Sequence, residues 1–255
     1  MINIDIVKSQ LKTNFIGSTI KYYDEVSSTN TVAKSSTALP DGSVFIAKTQ
    51  TNGKGRLGRS WNSVNGGLWF SILLKPQIPP ENISLITLIA GLAVCSVMGN
   101  KALIKWPNDI VINGKKLCGI LSELCFSHDN QPCVICGIGI NISQHDFPDE
   151  LKNKATSLTL EGFNYDINEL FLKILKSFED YYTSFLKNGF TIFWAEYKSK
   201  CITLNKEVTA IFPDKEIHGK AVDISKSGEL ILSVEKDLIN ISSGEVSVRG
   251  IYGYI

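Results

Sequence analysis

Arginine is scarce in this sequence of 255 residues. Only three of its 26 basic residues are Arg, and two of those, Arg56 and Arg59, fall within one stretch, Thr51-Asn52-Gly53-Lys54-Gly55-Arg56-Leu57-Gly58-Arg59-Ser60-Trp61. Acid is missing from the same neighbourhood: between Asp41 and Glu81 there is no carboxylate, whereas Lys48, Lys54, Arg56, Arg59 and Lys75 all lie there. The overall charge of +1 excludes a molecule that binds polyanions over its whole surface, so any anion binding is local. The three histidines, His128, His145 and His218, stand in polar segments without ligand spacing and read as surface residues. The N-terminus has neither a basic region nor an apolar core of the kind an export signal needs. The longest apolar stretch, 83–98, is interrupted by Ser84, Thr87, Gly91 and Ser96 and reads as too short to span a bilayer. Repeats, low-complexity segments and the G-x-x-x-x-G-K-[ST] phosphate loop are all lacking. Six cysteines without an export signal suit a reducing, cytoplasmic setting.

What is present begins with the glycines of that basic stretch. Gly53-x-Gly55-x-x-Gly58 has the lettering of the dinucleotide fingerprint, which should follow a strand, open a helix and be trailed by an acid about 20 positions on. Here the loop runs into the apolar segment 68–74, which reads as a strand, and the next acid is Glu81. The loop therefore joins two strands. Bare backbone that a ligand can approach, together with planar guanidinium donors, suits a carboxylate or a phosphate. Cys133-x-x-Cys136 invites a zinc or redox reading, but it lies in an apolar, β-branched run. Residues three apart on a strand face opposite sides, so the two are expected to be core cysteines.

Periodicity and turn chemistry predict the elements. A short helix over 2–11 precedes a strand over 20–26, and Ser27-Ser28-Thr29-Asn30 supplies cap chemistry for a helix near 31–36. Strands follow at 44–50 and 68–74, an antiparallel pair, then a helix over 84–98 that ends at Gly99. Strands at 103–106 and 109–112 lead to an Asn113-Gly114 hairpin turn, with further strands at 120–126 and 133–138. Asp166 with Glu169 marks a capping box, and apolar residues recur at helical spacing from Ile167 to Phe185 until Gly189. A second helix spans about 191–198. After Thr203 the pattern becomes short strands at 208–212, 216–224, 230–234, 238–241 and 245–248, at the spacing of a small all-β barrel. These patterns predict two domains, 1–204 and 205–255, the smaller packed on the larger.

Two further motifs carry chemistry. Lys105-Trp106-Pro107-Asn108-Asp109 and Lys116-Leu117-Cys118-Gly119-Ile120-Leu121-Ser122-Glu123 flank the Asn-Gly turn, so a hairpin presents Lys105 and Lys116 together. Gly137-Ile138-Gly139-Ile140-Asn141 leaves a strand through glycines. In this order, with residues 27–30 and 53–61, the motifs resemble the catalytic domain of biotin protein ligases. The terminal module, with Gly219-Lys220-Ala221-Val222-Asp223-Ile224 and residues 243–249, resembles that family's SH3-like domain. Lys54 stands where the family often has Arg.

The resemblance implies an α+β fold, a mixed sheet like that of class II aminoacyl-tRNA synthetases followed by a small SH3-like β-barrel. It implies two-step chemistry with ATP, biotin and Mg²⁺: formation of biotinyl-AMP, then transfer to a lysine of a biotin carboxyl carrier protein of the acetyl-CoA carboxylase type. The implied catalytic residues are Arg56, Lys116 and Asp109, the last orienting or deprotonating the acceptor amine. Biotin would meet Ser28, Thr29, Asn30, Gln50, Gly53, Lys54, Gly55, Arg56, Trp61, Lys116 and Gly119. ATP would meet Arg56, Arg59, Trp61, Lys105, Asn108, Lys116, Asn141 and Arg249, and no residue is assigned to a metal. With some 26 residues before the Ser-Ser-Thr-Asn motif there is no room for the helix-turn-helix domain of some family members, so no nucleic-acid partner is expected, nor a membrane one. A homodimer is compatible with the resemblance. The rival readings are a lipoate–protein ligase and a non-catalytic biotin sensor.

Overall fold

The computed structural model describes residues 2–243 and 246–250. Seven strands, β1 (Ile20–Val26), β2 (Val44–Gln50), β3 (Gly67–Leu74), β4 (Leu103–Lys105), β5 (Asp109–Ile112), β6 (Lys115–Phe126) and β7 (Pro132–Asn141), form a mixed sheet in the order β1-β2-β3-β7-β6-β5-β4. The β1–β2 pair is parallel and the other pairs are antiparallel. The helices are α1 (Ile4–Gln10), α2 (Thr29–Lys34), α3 (Leu85–Met98), α4 (Ile167–Asn188) and α5 (Trp194–Lys200). This is the α+β architecture expected from the sequence.

Strand β7 shows how the sequence builds both faces of the sheet. Val134, Cys136, Ile138 and Ile140 point into the main core, where α3 and α4 pack. Cys133 and Ile135 point the other way, into a small cluster with Ala33 of α2, Phe45 and Leu73. The two cysteines thus lie on opposite faces, both buried, and all six cysteines are free thiols. Farther along the second face, positions 137 and 139 are glycines, and the pleat there is bare.

Several elements differ from expectation in detail. Helix α2 begins at Thr29, two residues early, and its Ser28 cap makes no side-chain bond to the helix; the Thr29 N–H donates to Gln50 Oε1 instead, at 2.7 Å. Asp166 caps α4 as predicted, accepting from the Asn168 and Glu169 N–H groups, while the Glu169 carboxylate pairs with Lys173 at 2.6 Å. The second helix is a 3₁₀ turn, Phe190–Phe193, followed by α5. Both central residues of the Asn113-Gly114 turn have positive φ, 49° and 77°, as the predicted type I′ turn requires. One inference needs correction: from Pro80 to Met98 the chain is long and apolar enough, by composition, to cross a membrane. Two thirds of that stretch is buried inside the protein, and α3 is a core helix in which every residue from Leu85 to Cys95 except Thr87 is buried.

Strands β8 (Glu207–Ile211), β9 (Glu216–Ile224), β10 (Leu230–Val234), β11 (Asp237–Ile241) and β12 (Ser247–Gly250) form a five-stranded antiparallel sheet in the order β11-β10-β9-β8-β12. The strand expected at 245–248 starts at Ser247; Glu245 lies outside the described residues. This sheet docks on the larger unit at named points. Trp106 Nε1 donates to Gly228 O at 3.0 Å, Trp194 Nε1 donates to Ile224 O at 2.6 Å, and Lys198 pairs with Asp223 at 2.6 Å.

Candidate active site

The bare patch of sheet is the floor of the site. Gly119 and Gly139 are partners across β6 and β7, and Gly139 is also opposite Trp69 of β3. A Cβ on Gly139 would sit 2.6 Å from Trp61 Nε1, and one on Gly119 2.8 Å from the same ring. The glycines are therefore what lets the Trp61 indole lie against the sheet, edge-on to Trp69 at 6.3 Å. A Cβ on Gly137 would come within 2.1 Å of Asn30 Oδ1, so this glycine makes room for the α2 amide.

A polar string runs beneath the patch. Asn30 donates through Nδ2 to Glu123 Oε2 at 2.7 Å and to Leu121 O at 3.3 Å. Its Oδ1 lies 2.6 Å from Ser71 Oγ, which lies 2.7 Å from Thr29 Oγ1, in turn 3.1 Å from Gln50 Oε1. Gln50 Nε2 donates to Ser63 Oγ at 2.6 Å. Burial pushes the Glu123 carboxyl up, but hydrogen bonds from Lys34 and Asn30 and the charges of Lys34 and Lys54 outweigh it and hold the group below the usual carboxylate range.

Lys116 owes its aim to a β-bulge. The β5–β6 register shifts between Ile110 and Val111, where β6 carries the extra residue Leu117, so Leu117 and Cys118 both enter the core and Lys116 turns to the Gly119 side. Its N–H donates to Lys154 O and its carbonyl accepts from Thr156 N, at 2.7 and 2.9 Å. Its Nζ lies 2.7 Å from Asp109 Oδ1 and 4.8 Å from the centre of the Trp61 ring. Lys105 faces Asp109 across β4–β5 and is 6% exposed. Burial pushes its ammonium down to about pKa 8; Asp109 opposes the shift, and Lys116, Arg249 and Arg59 add to it.

The glycine loop contributes the arginines. Arg56 donates to Asn108 Oδ1 at 3.1 Å, to Val246 O at 3.0 Å and to Ser243 O, and Arg59 donates to Ser247 Oγ at 2.9 Å. Burial lowers the Arg56 pKa, and Asp109 counteracts this. Leu57, between them, has φ 54°, the left-handed region that favours glycine.

Two adjoining cavities result. The narrower, about 50 Å³, is walled by Ser28, Thr29, Asn30, Gln50, Lys54 and Gly119. The wider, about 430 Å³, is walled by Arg59, Lys105, Asp109, Asn141 and Arg249. Gly55, Arg56, Trp61, Asn108 and Lys116 line both and form the boundary. Of the residues the resemblance singled out, only Gly53 lines neither cavity. It closes the loop, its carbonyl accepting from Trp61 N, with Trp61 O and Ser63 Oγ filling the space a Cβ would need. Sequence reasoning missed Ser63, Ser71 and the role of Glu123. It also missed the wall from Phe147 to Ala155, in a segment with no periodicity to read. Ser71 had one signal, a lone hydroxyl in the otherwise apolar 68–74 run.

Around the cavities Asp109 is the single carboxylate among the described lining residues, against Lys54, Arg56, Arg59, Lys105, Lys116, Lys154 and Arg249. Such a site can hold two anions side by side, a small polar ligand in the narrow arm and a larger one in the wide arm. That is the arrangement of an acid-activating enzyme.

Comparison with known proteins makes this specific. Residues 22–141 match the model of the biotin/lipoate A/B protein ligase family, and residues 203–249 match that of the biotin protein ligase C-terminal domain. The bifunctional ligase/repressor BirA of Bacillus subtilis is 36% identical over 95% of this chain and 78% of its own length. The biotin–[acetyl-CoA-carboxylase] ligase of Mycobacterium tuberculosis is 32% identical over 81% of this chain and 79% of its own. The biotin protein ligase of Aquifex aeolicus, solved with biotin and ATP, superposes with a TM-score of 0.83 at 34% identity, covering 91% of this chain and 99% of that one. The chain belongs to the biotin protein ligase family and is a ligase.

Proposed function

We propose that this protein joins biotin to a lysine of a carboxyl carrier protein in two steps. A biotin carboxylate oxygen attacks the α-phosphorus of ATP and pyrophosphate leaves; the acceptor amine then attacks the acyl carbon and AMP leaves. The observation that carries this reading is the shared boundary between the two cavities, where Arg56 and Lys116 stand between a small polar pocket and a wide cationic one. The first step brings two anions together, so its barrier is largely electrostatic, and fixed cations at the meeting point lower it.

In this reading Thr29 and Gln50 hold the ureido head of biotin in the narrow arm, beside Ser28 and Asn30, while Trp61 and the Gly119 backbone flank its rings. Arg56 exchanges its carbonyl partners for the carboxylate and α-phosphate, trading neutral acceptors for charged ones. Lys116 is steered to the same place by Asp109 and the bulge. Arg59, Lys105, Asn141 and Arg249 receive the nucleotide. Asp109 orients the acceptor amine in the second step. Magnesium belongs to this chemistry as part of the nucleotide: among the described residues no cluster of three acidic, His or Cys side chains could cage it, and Mg²⁺ is commonly held by phosphates with one or two carboxylates. A cytoplasmic setting, where the six thiols stay reduced, completes the reading.

A lipoate ligase is disfavoured by the buried hydrogen-bonding string, which an apolar dithiolane ring would leave without partners, and by the match over 203–249 to a biotin-ligase module. The repressor activity named for the Bacillus relative is not carried over. The test is transfer: incubation with ATP, Mg²⁺, biotin and a purified biotin carboxyl carrier domain, followed by intact mass. One biotin added per carrier is expected, and an unmodified carrier would refute the reading.

A further inference from the structure

The wall of the wide cavity that follows β7 returns to the sheet at one place. The Lys116 N–H donates to Lys154 O and the Lys116 carbonyl accepts from Thr156 N, so residues 154–156 run parallel to β6 at Lys116. Lys154 and Ala155 line the wide cavity, as do Phe147 and Leu151 of the same segment. The lysine at the cavity boundary and this wall thus share two backbone hydrogen bonds, and a shift of one drags the other.

A single carboxylate fastens that junction. Glu161 is half-buried and lines neither cavity. Its Oε1 accepts from the Thr156 hydroxyl at 2.6 Å, and its Oε2 accepts from Asn113 Nδ2 at 2.5 Å. Its own N–H donates to Ser157 O at 3.1 Å, which anchors the backbone from which the carboxylate reaches. Thr156 is 2% exposed, and its carbonyl accepts from Asn141 Nδ2 at 2.9 Å. Asn113 is the first central residue of the β5–β6 turn. One side chain therefore ties the tip of the hairpin that bears Lys116 to the wall residue that pairs with Lys116. Both bonds end on an ionised acceptor and are stronger than bonds between neutral groups. A contact that served only the turn from Thr156 to Glu161 needs one oxygen; the other reaches a residue 48 positions away.

We propose that Glu161 is a positioning residue that locks the wall of the wide cavity to the Lys116 hairpin, so that the nucleotide's seat and the aim of Lys116 are set together. The proposal rests on the biotin-ligase reading, in which the wide arm takes ATP and Lys116 serves the reaction at the boundary. Glu161 touches no ligand. The polar wall of the narrow arm comes from α2 and β2 and not from this junction, so biotin by itself binds independently of the lock.

The test is a single turnover of biotin-dependent pyrophosphate release across a range of ATP concentrations, with calorimetric biotin affinity measured beside it. Glu161→Ala is expected to raise the half-saturating ATP concentration and to lower the maximal rate, each about 5- to 20-fold, roughly one hydrogen bond's worth apiece. Biotin affinity is expected to stay within about threefold of wild type. Glu161→Gln keeps both contacts through its oxygen and its NH₂ once the exposed Asn113 amide turns, and is expected to restore both parameters to within about threefold. Asn113→Gly keeps the turn's positive φ and cuts only the hairpin half of the lock. It is expected to show the same two changes in smaller degree, and to add nothing further to Glu161→Ala. An unaltered maximal rate in Glu161→Ala would overturn the proposal. So would a loss of biotin affinity in step with the rate, which marks general loosening, or a Glu161→Gln variant as slow as Glu161→Ala. In each of these cases wild type still adenylates biotin, and that reading stands. A wild type that releases no pyrophosphate with biotin would overturn that reading, and this proposal with it.

Discussion

Lys116 and Lys105 stand within one hairpin, yet the structure gives them different environments and so different work. Lys116 is held at the boundary of the two cavities by the Asp109 carboxylate at 2.7 Å and by a bulge that turns it from the core. Lys116→Ala should cut adenylate formation by roughly 10²–10³-fold or more while leaving the fold intact, since no core group is lost. Near-normal pyrophosphate release from that variant would remove Lys116 from the proposed mechanism. Lys105 is buried, and its pKa lies near 8, below the ordinary lysine value. In the free protein it is charged below about pH 8 and loses its proton as pH rises through that value. A polyphosphate beside it favours the charged form, so nucleotide binding at pH 8 should take up protons, and affinity should fall from pH 7 to pH 9. Titration in buffers of different ionisation enthalpy measures this directly. Lys105→Arg, charged throughout, should abolish the uptake; uptake unchanged in that variant would assign it to another group.

At the scale of elements, one strand explains much of the site. The sequence of β7 alternates so that one face feeds the core while the other changes from Cys133 and Ile135, under α2, to Gly137 and Gly139, under the ligand pocket. Gly137→Ala would place a methyl 2.1 Å from Asn30 Oδ1, a contact that cannot persist. The variant should lose about 1–3 kcal/mol of stability from overpacking and bind biotin much more weakly, because the displaced amide walls the narrow cavity. Biotin affinity equal to wild type would show that biotin binding does not depend on the placement of Asn30. Strands were the part most legible in the sequence: 20–26, 44–50, 216–224 and 230–234 coincide with the observed elements, because period-2 patterning and Gly or Asn turns act locally. The start of α2 was misread because Ser28 makes no side-chain cap and the first N–H, that of Thr29, is served by Gln50, a partner 21 residues away. The bulge at Leu117 and the segment that pairs with the Lys116 backbone were equally invisible, both depending on tertiary neighbours.

For the whole molecule, the C-terminal sheet is part of the site and not an appendage. Ser243 O, Val246 O and Ser247 Oγ hold the two arginines of the glycine loop, and Gly228 O receives the indole of Trp106, whose neighbours are Lys105 and Pro107. We propose that the boundary between the two domains falls at residues 204/205. Gly228 has φ 80°, and a Cβ there would lie 2.6 Å from Leu85 and Leu88. Gly228→Ala should therefore loosen the seam, lower the melting temperature and reduce kcat for adenylation several-fold, although it lies outside both cavities. A variant with reduced stability and unaltered kcat would confine the seam to a structural role. The motifs that resembled the family were legible one by one; that the second sheet closes on the first through both arginines was not, because no pattern in a sequence records which carbonyls a distant guanidinium meets.

The central claim is that a carboxylic acid is activated at the boundary between the two cavities, and that the acid is biotin. Pyrophosphate release from ATP and Mg²⁺ by the protein alone, with biotin or with lipoate as the acid and no carrier present, tests it most directly. Release that depends on biotin and is absent with lipoate is the predicted result. Release with lipoate only would assign the chain a different acid, and release with neither would contradict adenylation altogether.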